Sequence, residues 1–183
     1  CQSICSIIKR YAWSNTKIVS KVFVQENFFN KDTYQKIVNE MISVEYEAPD
    51  SKKRKIYDGS YWHTHNLPDG CEVQKEIKKL IQKHFNFKIS SFVCPSSYTM
   101  VGATDKPRPH TDEDVGSQFQ CLIYMYGPES VNNGTGFYKD NELSIHVGFK
   151  NNRAIFFSSD VWHTPLQWNG NGSFRYSICN FFT

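Results

Sequence analysis

No stretch of this chain approaches the 18 or so consecutive apolar residues that a membrane-spanning helix needs, and no charged-then-apolar segment of the signal type is found, so no membrane partner is expected. An excess of charge of one sign is missing as well. The 21 basic and 18 acidic residues leave a formal charge of +3, too balanced to imply nucleic acid. Lys52-Lys53-Arg54-Lys55 is the only concentrated basic run; it reads as a solvated loop, with steering of an anionic substrate as the alternative. The six cysteines include no Cys-x-x-Cys pair and no zinc-finger spacing. Cys121 and Cys179 fall within apolar strand patterns, where a thiol acts as a small buried hydrophobe. A reducing, cytoplasmic location is the simpler reading, although the even count leaves disulfides open. Internal repeats and low-complexity tracts are absent, and nothing sets an oligomeric state. The first residue is Cys1 rather than Met, so a trimmed chain, or one cut from a longer protein, is expected.

What is present is aromatic: 14 Phe and 10 Tyr help bring the aromatic share to 15%, a composition suited to strands around a large core. At 183 residues the chain fits one domain, able to bury roughly 70% of its unfolded surface. Ile18 to Gln25 reads as a strand. Asn30 then caps a helix whose apolar stripe is Tyr34, Ile37, Val38, Met41 and Ile42. From Glu45 to Gly70 the chain is polar and turn-rich, with strand-like Lys55-Ile56-Tyr57. There, Tyr61-Trp62-His63-Thr64-His65 is expected to be a loop lining a substrate mouth. His63 and His65 have metal-ligand spacing but no obvious third partner. Asp69-Gly70-Cys71-Glu72 has capping-box form and opens a second helix, with Val73, Ile77, Leu80, Ile81 and His84 along one stripe.

After Phe87 the period changes to two. Strands are expected at 90–94, 98–101, 118–126, 136–139, 142–147, 153–157, 161–164 and 174–182. Two helices followed by eight short strands predict an α+β fold with a sandwich or jelly roll, the helical support covering about 1–88 and the strand core about 89–183 of a single domain.

The chemistry concentrates in three short segments. His110 and Asp112 are two positions apart, so in extended backbone both side chains leave on one side and can grip one ion. His163 can complete the set, and two imidazoles with one carboxylate, other positions open, suit non-haem Fe(II) oxygen chemistry. Asp114 is the nearest competitor for Asp112. Beyond them, Arg175 and Ser177 share a strand face, with Phe174, Tyr176 and Ile178 on the other. A guanidinium turned into the core needs an anion, and a carboxylate matches its fork. Asn169-Gly170-Asn171-Gly172 signals a hairpin; a symmetric turn would put Arg175 roughly 10 Å along the ladder from His163, the size of a five-carbon diacid bound to the metal at one end.

With His110-Thr-Asp112, the distant His163 and Arg175-Tyr-Ser177 in that order, the chain resembles the Fe(II)/2-oxoglutarate-dependent dioxygenases, and its strand, Asn-Phe-Phe, helix opening is similar to the prolyl-hydroxylase-like branch. Gly134-Thr135-Gly136-Phe137 resembles a stretch found between the metal-binding segments of such enzymes. The resemblance implies a double-stranded β-helix (jelly roll) with Fe(II) held by His110, Asp112 and His163. It also implies 2-oxoglutarate as cosubstrate, its far carboxylate on Arg175 and Ser177 and Tyr98 or Tyr124 as a further contact. Consumption of O2, release of succinate and CO2, and support by ascorbate follow, with hydroxylation of a C–H bond as the expected outcome. Asp112 disfavours halogenation, which replaces that carboxylate.

Two other readings use the same residues. A jelly-roll module could bind a metal without catalysis, and a hydrolase could activate water on zinc. Neither has an evident use for Arg175-Tyr-Ser177. For the substrate, a small molecule or a peptide, candidate contacts are Trp62, His63, His65, Arg108 and Trp168, with a peptidyl or amino-acid substrate preferred.

Overall fold

The computed structural model describes residues 22–47, 62–102, 109–166 and 174–183. Strand β1 (Val22–Gln25) leads into helix α1 (Lys31–Met41), which starts at the expected cap: the Asn30 side chain accepts from the Thr33 amide at 2.9 Å. Ile37, Val38 and Met41 are the buried stripe. Helix α2 (Glu72–Phe85) buries Ile77, Leu80 and Ile81, as its 3.6-residue period requires, and ends at Asn86 in the left-handed conformation. Its start departs from the expected capping box. Cys71 occupies the cap position without a side-chain bond, and Gln74 accepts from the Gly70 amide at 2.6 Å. Glu72, at the first helical position, points to solvent and pairs with Lys75 at 2.7 Å.

The other strands are β2 (Trp62–Asn66), β3 (Ser97–Val101), β4 (Phe119–Tyr126), β5 (Ser130–Lys139), β6 (Glu142–Phe149), β7 (Arg153–Ser158), β8 (His163–Leu166) and β9 (Arg175–Phe182). They form a six-stranded sheet ordered β1-β7-β4-β9-β3-β2 and a three-stranded sheet ordered β6-β5-β8, with antiparallel pairs throughout. This is the α+β, double-stranded β-helix architecture, with helices on one face of the larger sheet. Period-two alternation divides the core. Tyr98, Cys121, Ile123, Met125, Phe156, Ile178 and Phe182 meet the helices. On the opposite face Tyr124, Ile155 and Phe157 meet Phe137, Val147 and Phe149 of the smaller sheet. β1 and β2, both before residue 88, are the two edges of the larger sheet, so the amino-terminal part is not purely helical support.

Three further expectations change. Residues 90–94 form no strand; the segment touches β9 through one bridge, Phe92 to Phe182, with the Ser90 amide on the Thr183 carbonyl at 2.6 Å. Trp62–His65 belongs to edge strand β2, paired with β3, and is not a loop. Its polar composition concealed the strand, whose outer side meets one bridge among the described residues, Glu47 to Thr64. β8 and β9 do not form a hairpin: β8 pairs with β5 in the smaller sheet, while β9 lies between β4 and β3 in the larger. Alternation along each strand is the same whichever sheet it joins, so it could not settle this. Lys52–Lys55, Lys55–Tyr57 and Asn169–Gly172 lie outside the described residues.

Candidate metal and dicarboxylate site

His110 and His163 face one another across an isolated antiparallel bridge in which each amide donates to the other's carbonyl, at 3.0 and 2.9 Å. That exchange sets the two imidazoles side by side, ring centroids 4.6 Å apart. Asp112 is not in extended backbone as expected. With φ −112 and ψ 26 it leads into a 3-10 turn (Glu113–Val115), and its amide donates to the Ser159 carbonyl at 3.0 Å. The turn folds its carboxylate back towards the histidines: Oδ2 is 3.2 Å from His163 Nε2, and Oδ1 is 3.8 Å from His110 Nε2. The three residues offer ligand atoms that all lie within 4.8 Å of one another. Asp114, the competitor, is exposed in the 3-10 turn and outside this group.

The donor set fits a divalent ion. His163 Nδ1 is 2.9 Å from the Val161 carbonyl, which only accepts, and this contact turns the ring so that Nε2, 3.2 Å from Asp112 Oδ2, faces the centre. The rings of Phe137 and Phe157 pack against His163 and hold its plane. Burial pushes the Asp112 carboxyl up, but the hydrogen bond and charge of His163, then His110 and Gln120, outweigh it and leave it below the usual carboxylate range. It is therefore charged at neutral pH, as a ligand must be. Gln120 Nε2 donates to Asp112 Oδ2 at 2.9 Å and orients that carboxylate.

The second half of the site is the far end of the same intersheet space. Arg175 is only 3% exposed, and Ser177 beside it on β9 is also buried. The guanidinium donates to Asn133 Oδ1 and, at 3.1 Å, to the Gly134 carbonyl. Both acceptors are neutral, and among the described residues no carboxylate pairs with Arg175. Burial lowers its pKa, yet a guanidinium stays protonated at physiological pH. Tyr124, opposite Ser177 on β4, shares a 2.6 Å hydroxyl contact with Thr135; burial pushes its phenol up to about 12 despite the opposing charge of Arg175. A buried cation with only dipoles around it suits an anionic ligand.

Two strands tie the ends together without the expected hairpin. On β4, Gln120 at the metal end and Tyr124 at the arginine end are four residues apart. On β5, Phe137 against His163 and Asn133 against Arg175 are likewise four apart. At ~3.4 Å per residue each offset is about 14 Å between Cα atoms.

Not every expected residue gathers here. Tyr98 faces the helices, where its hydroxyl donates to Glu40 at 2.9 Å, on the opposite side of the sheet from Arg175. His65 stacks on Tyr98 with its Nδ1 2.9 Å from the Glu45 carbonyl, which accepts, and His63, two positions away on β2, shares that outer face. Trp62 is in register with Val101, which pairs with Arg175. Arg108 and Trp168 lie outside the described residues. Gln120 and Asn133 had been missed. Gln120 lies on the same strand face as Tyr124, so a polar residue at an inward position was a usable signal. Asn133 was hidden because β5 starts six residues before the strand expected at Gly136.

No family model matches the chain, and no curated protein matches its sequence. Solved structures match its fold. A prolyl-4-hydroxylase from Pseudomonas putida aligns with TM-score 0.64 and 13% identity over 90% of this chain and 92% of its own. A prolyl hydroxylase from Trichoplax adhaerens, in complex with a hypoxia inducible factor oxygen degradation domain peptide fragment, gives 0.64 and 13% over 88% and 82%. HygX from Streptomyces hygroscopicus, with nickel and 2-oxoglutarate bound, gives 0.65 and 8% over 88% and 82%. The chain thus has the double-stranded β-helix fold of the 2-oxoglutarate oxygenases to which it is similar.

Proposed function

We propose that this chain is an Fe(II)- and 2-oxoglutarate-dependent dioxygenase that hydroxylates an unactivated C–H bond, releasing succinate and CO2. The observation that carries the reading is one intersheet space with a two-histidine, one-carboxylate group at one end and a buried arginine without a carboxylate partner, among the described residues, at the other. When bound, Fe(II) and 2-oxoglutarate supply the means of turning O2 into an oxidant strong enough for such a bond. His110, Asp112 and His163 would hold the ion, a donor set suited to Fe(II) oxygen chemistry. Gln120 keeps the Asp112 carboxylate aimed, and the Val161 carbonyl fixes the His163 ring with Nε2 towards the metal side. Arg175 and Ser177 receive the far carboxylate. The apolar walls Phe137, Phe157 and Ile155 exclude water from the space between.

A peptidyl or amino-acid substrate is the preferred class, supported by the likeness of fold to a prolyl hydroxylase whose structure contains a peptide. A reducing cytoplasmic setting accords with Cys71, Cys94, Cys121 and Cys179 being free thiols. No helix among the described residues is long and apolar enough to cross a membrane. The test is succinate release from 2-oxoglutarate with Fe(II), ascorbate and O2. The expected result is turnover that His110→Ala and Arg175→Ala abolish. Turnover with Zn(II) alone, or release indifferent to Arg175, refutes the reading.

A further inference from the structure

We propose that Asn133 is a second anchor for the far carboxylate of the cosubstrate and sets the preference for a keto diacid over a keto monoacid, an inference that rests on the dioxygenase reading. Asn133 is 1% exposed, on the inward face of β5. Its Oδ1 accepts from Arg175 Nη1, which fixes the amide orientation, since the flipped amide would set donor against donor. Its Nδ2 is then a buried donor with no partner. Folded proteins rarely leave such a group unmet, and a ligand is one of the standard reasons.

Two neighbouring hydroxyls have partners already. The Tyr124 and Thr135 hydroxyls bond each other, and Tyr124 also reaches the Val147 carbonyl at 3.3 Å. The guanidinium and the Asn133 amino group are both donors in one buried corner, and a carboxylate, which only accepts, answers both. A keto acid of the same length ending in a methyl group leaves the Asn133 amino group unanswered and the guanidinium with neutral acceptors alone. Asn133 thereby acts on the ligand directly as well as holding Arg175 in place.

The test titrates the Mn(II)-loaded protein, without O2, with 2-oxoglutarate and with 2-oxopentanoate, following intrinsic fluorescence or heat. Wild type prefers the diacid. Asn133→Ala weakens 2-oxoglutarate binding roughly 10- to 100-fold, the effect of a hydrogen bond to a charged group, and leaves 2-oxopentanoate unchanged. Asn133→Asp sets a carboxylate on Arg175: it loses 2-oxoglutarate further than the alanine variant, while its ligand-free melting midpoint equals or exceeds that of wild type. Asn133→Ser replaces the alanine variant if that protein fails to fold. Equal weakening of both acids, or an undiminished preference in Asn133→Ala, overturns the role of Asn133 and spares the dioxygenase reading. A metal-loaded wild type that does not favour the diacid overturns both.

Discussion

Replacing Gln120 by Leu should weaken metal binding without removing a ligand. The amide is buried at the head of β4 and makes a 2.9 Å hydrogen bond to Asp112 Oδ2, the oxygen that also lies 3.2 Å from His163 Nε2. A hydrogen bond to a charged group contributes about 1.5–3 kcal/mol, and 1.4 kcal/mol is tenfold in affinity, so the expected loss is roughly 10- to 100-fold. Losses of that size are typical when a group supporting a metal ligand is removed. Leu has nearly the volume of Gln and little change in packing is expected, so the metal-free melting midpoint should move by less than the metal-bound one. Competition of the protein with a chromophoric chelator for Mn(II) or Co(II) at neutral pH reads the affinity. Gln120→Glu should be worse than Leu, because a second carboxylate beside Asp112 leaves an oxygen without a donor. If Gln120→Leu binds metal as wild type does while His163→Ala does not, the carboxylate is aimed by the backbone turn alone and the orienting role of Gln120 is wrong.

Two glycines of β5 should differ in tolerance. Gly134 has φ +146, and an added Cβ would overlap the Val147 carbonyl oxygen and lie 2.9 Å from Gly148 Cα, so Gly134→Ala should cost about 1–3 kcal/mol in backbone strain before the clash, lowering the melting midpoint by roughly 3–10 °C. Gly136→Ala meets only the side-chain ends of Leu143 and Leu166 and should be milder; the reverse order in a melting experiment would contradict the β5 geometry. Glu26 pairs with Arg153 at 2.6 Å and Lys150 at 3.2 Å; burial raises its carboxyl pKa, but these partners outweigh it and leave the pKa lowered. A depressed folded pKa means stability that is present above the unfolded carboxyl value and lost as pH falls through the folded one. Because the side chain is 40% exposed, Glu26→Gln should lower the melting midpoint by no more than ~3 °C at pH 7. That gap should close in acid; a gap that persists after wild-type Glu26 is protonated would show that the pair does not set it.

Local rules were sufficient where one residue decides one feature. Asn30 caps α1 because its short side chain reaches Thr33, and Ile37 with Met41, or Ile77 with Ile81, can bury only from one helical face. His110, Asp112, His163 and Arg175 were legible because each chemical type is expensive to bury without a use, and their order matched a known resemblance. Alternation likewise placed Arg175 and Ser177 opposite Ile178.

What no local pattern could decide is which strand neighbours which. Alternation repeats every two residues in both sheets, so the crossing of β8 and β9 into different sheets, which sets the distance from metal to guanidinium, is a property of the packed whole. The same holds for faces. Tyr98 and Tyr124 are equally plausible inward tyrosines in sequence, yet the first meets Glu40 of the helix layer and the second Thr135 of the smaller sheet. The sequence by itself therefore determined the two helices, most of the strands after residue 96, the ligand types and their order. Only the tertiary structure decided the register, the side of the sheet each residue serves, and the joining of Gln120 and Asn133 to the site, because those depend on contacts between residues distant in the chain.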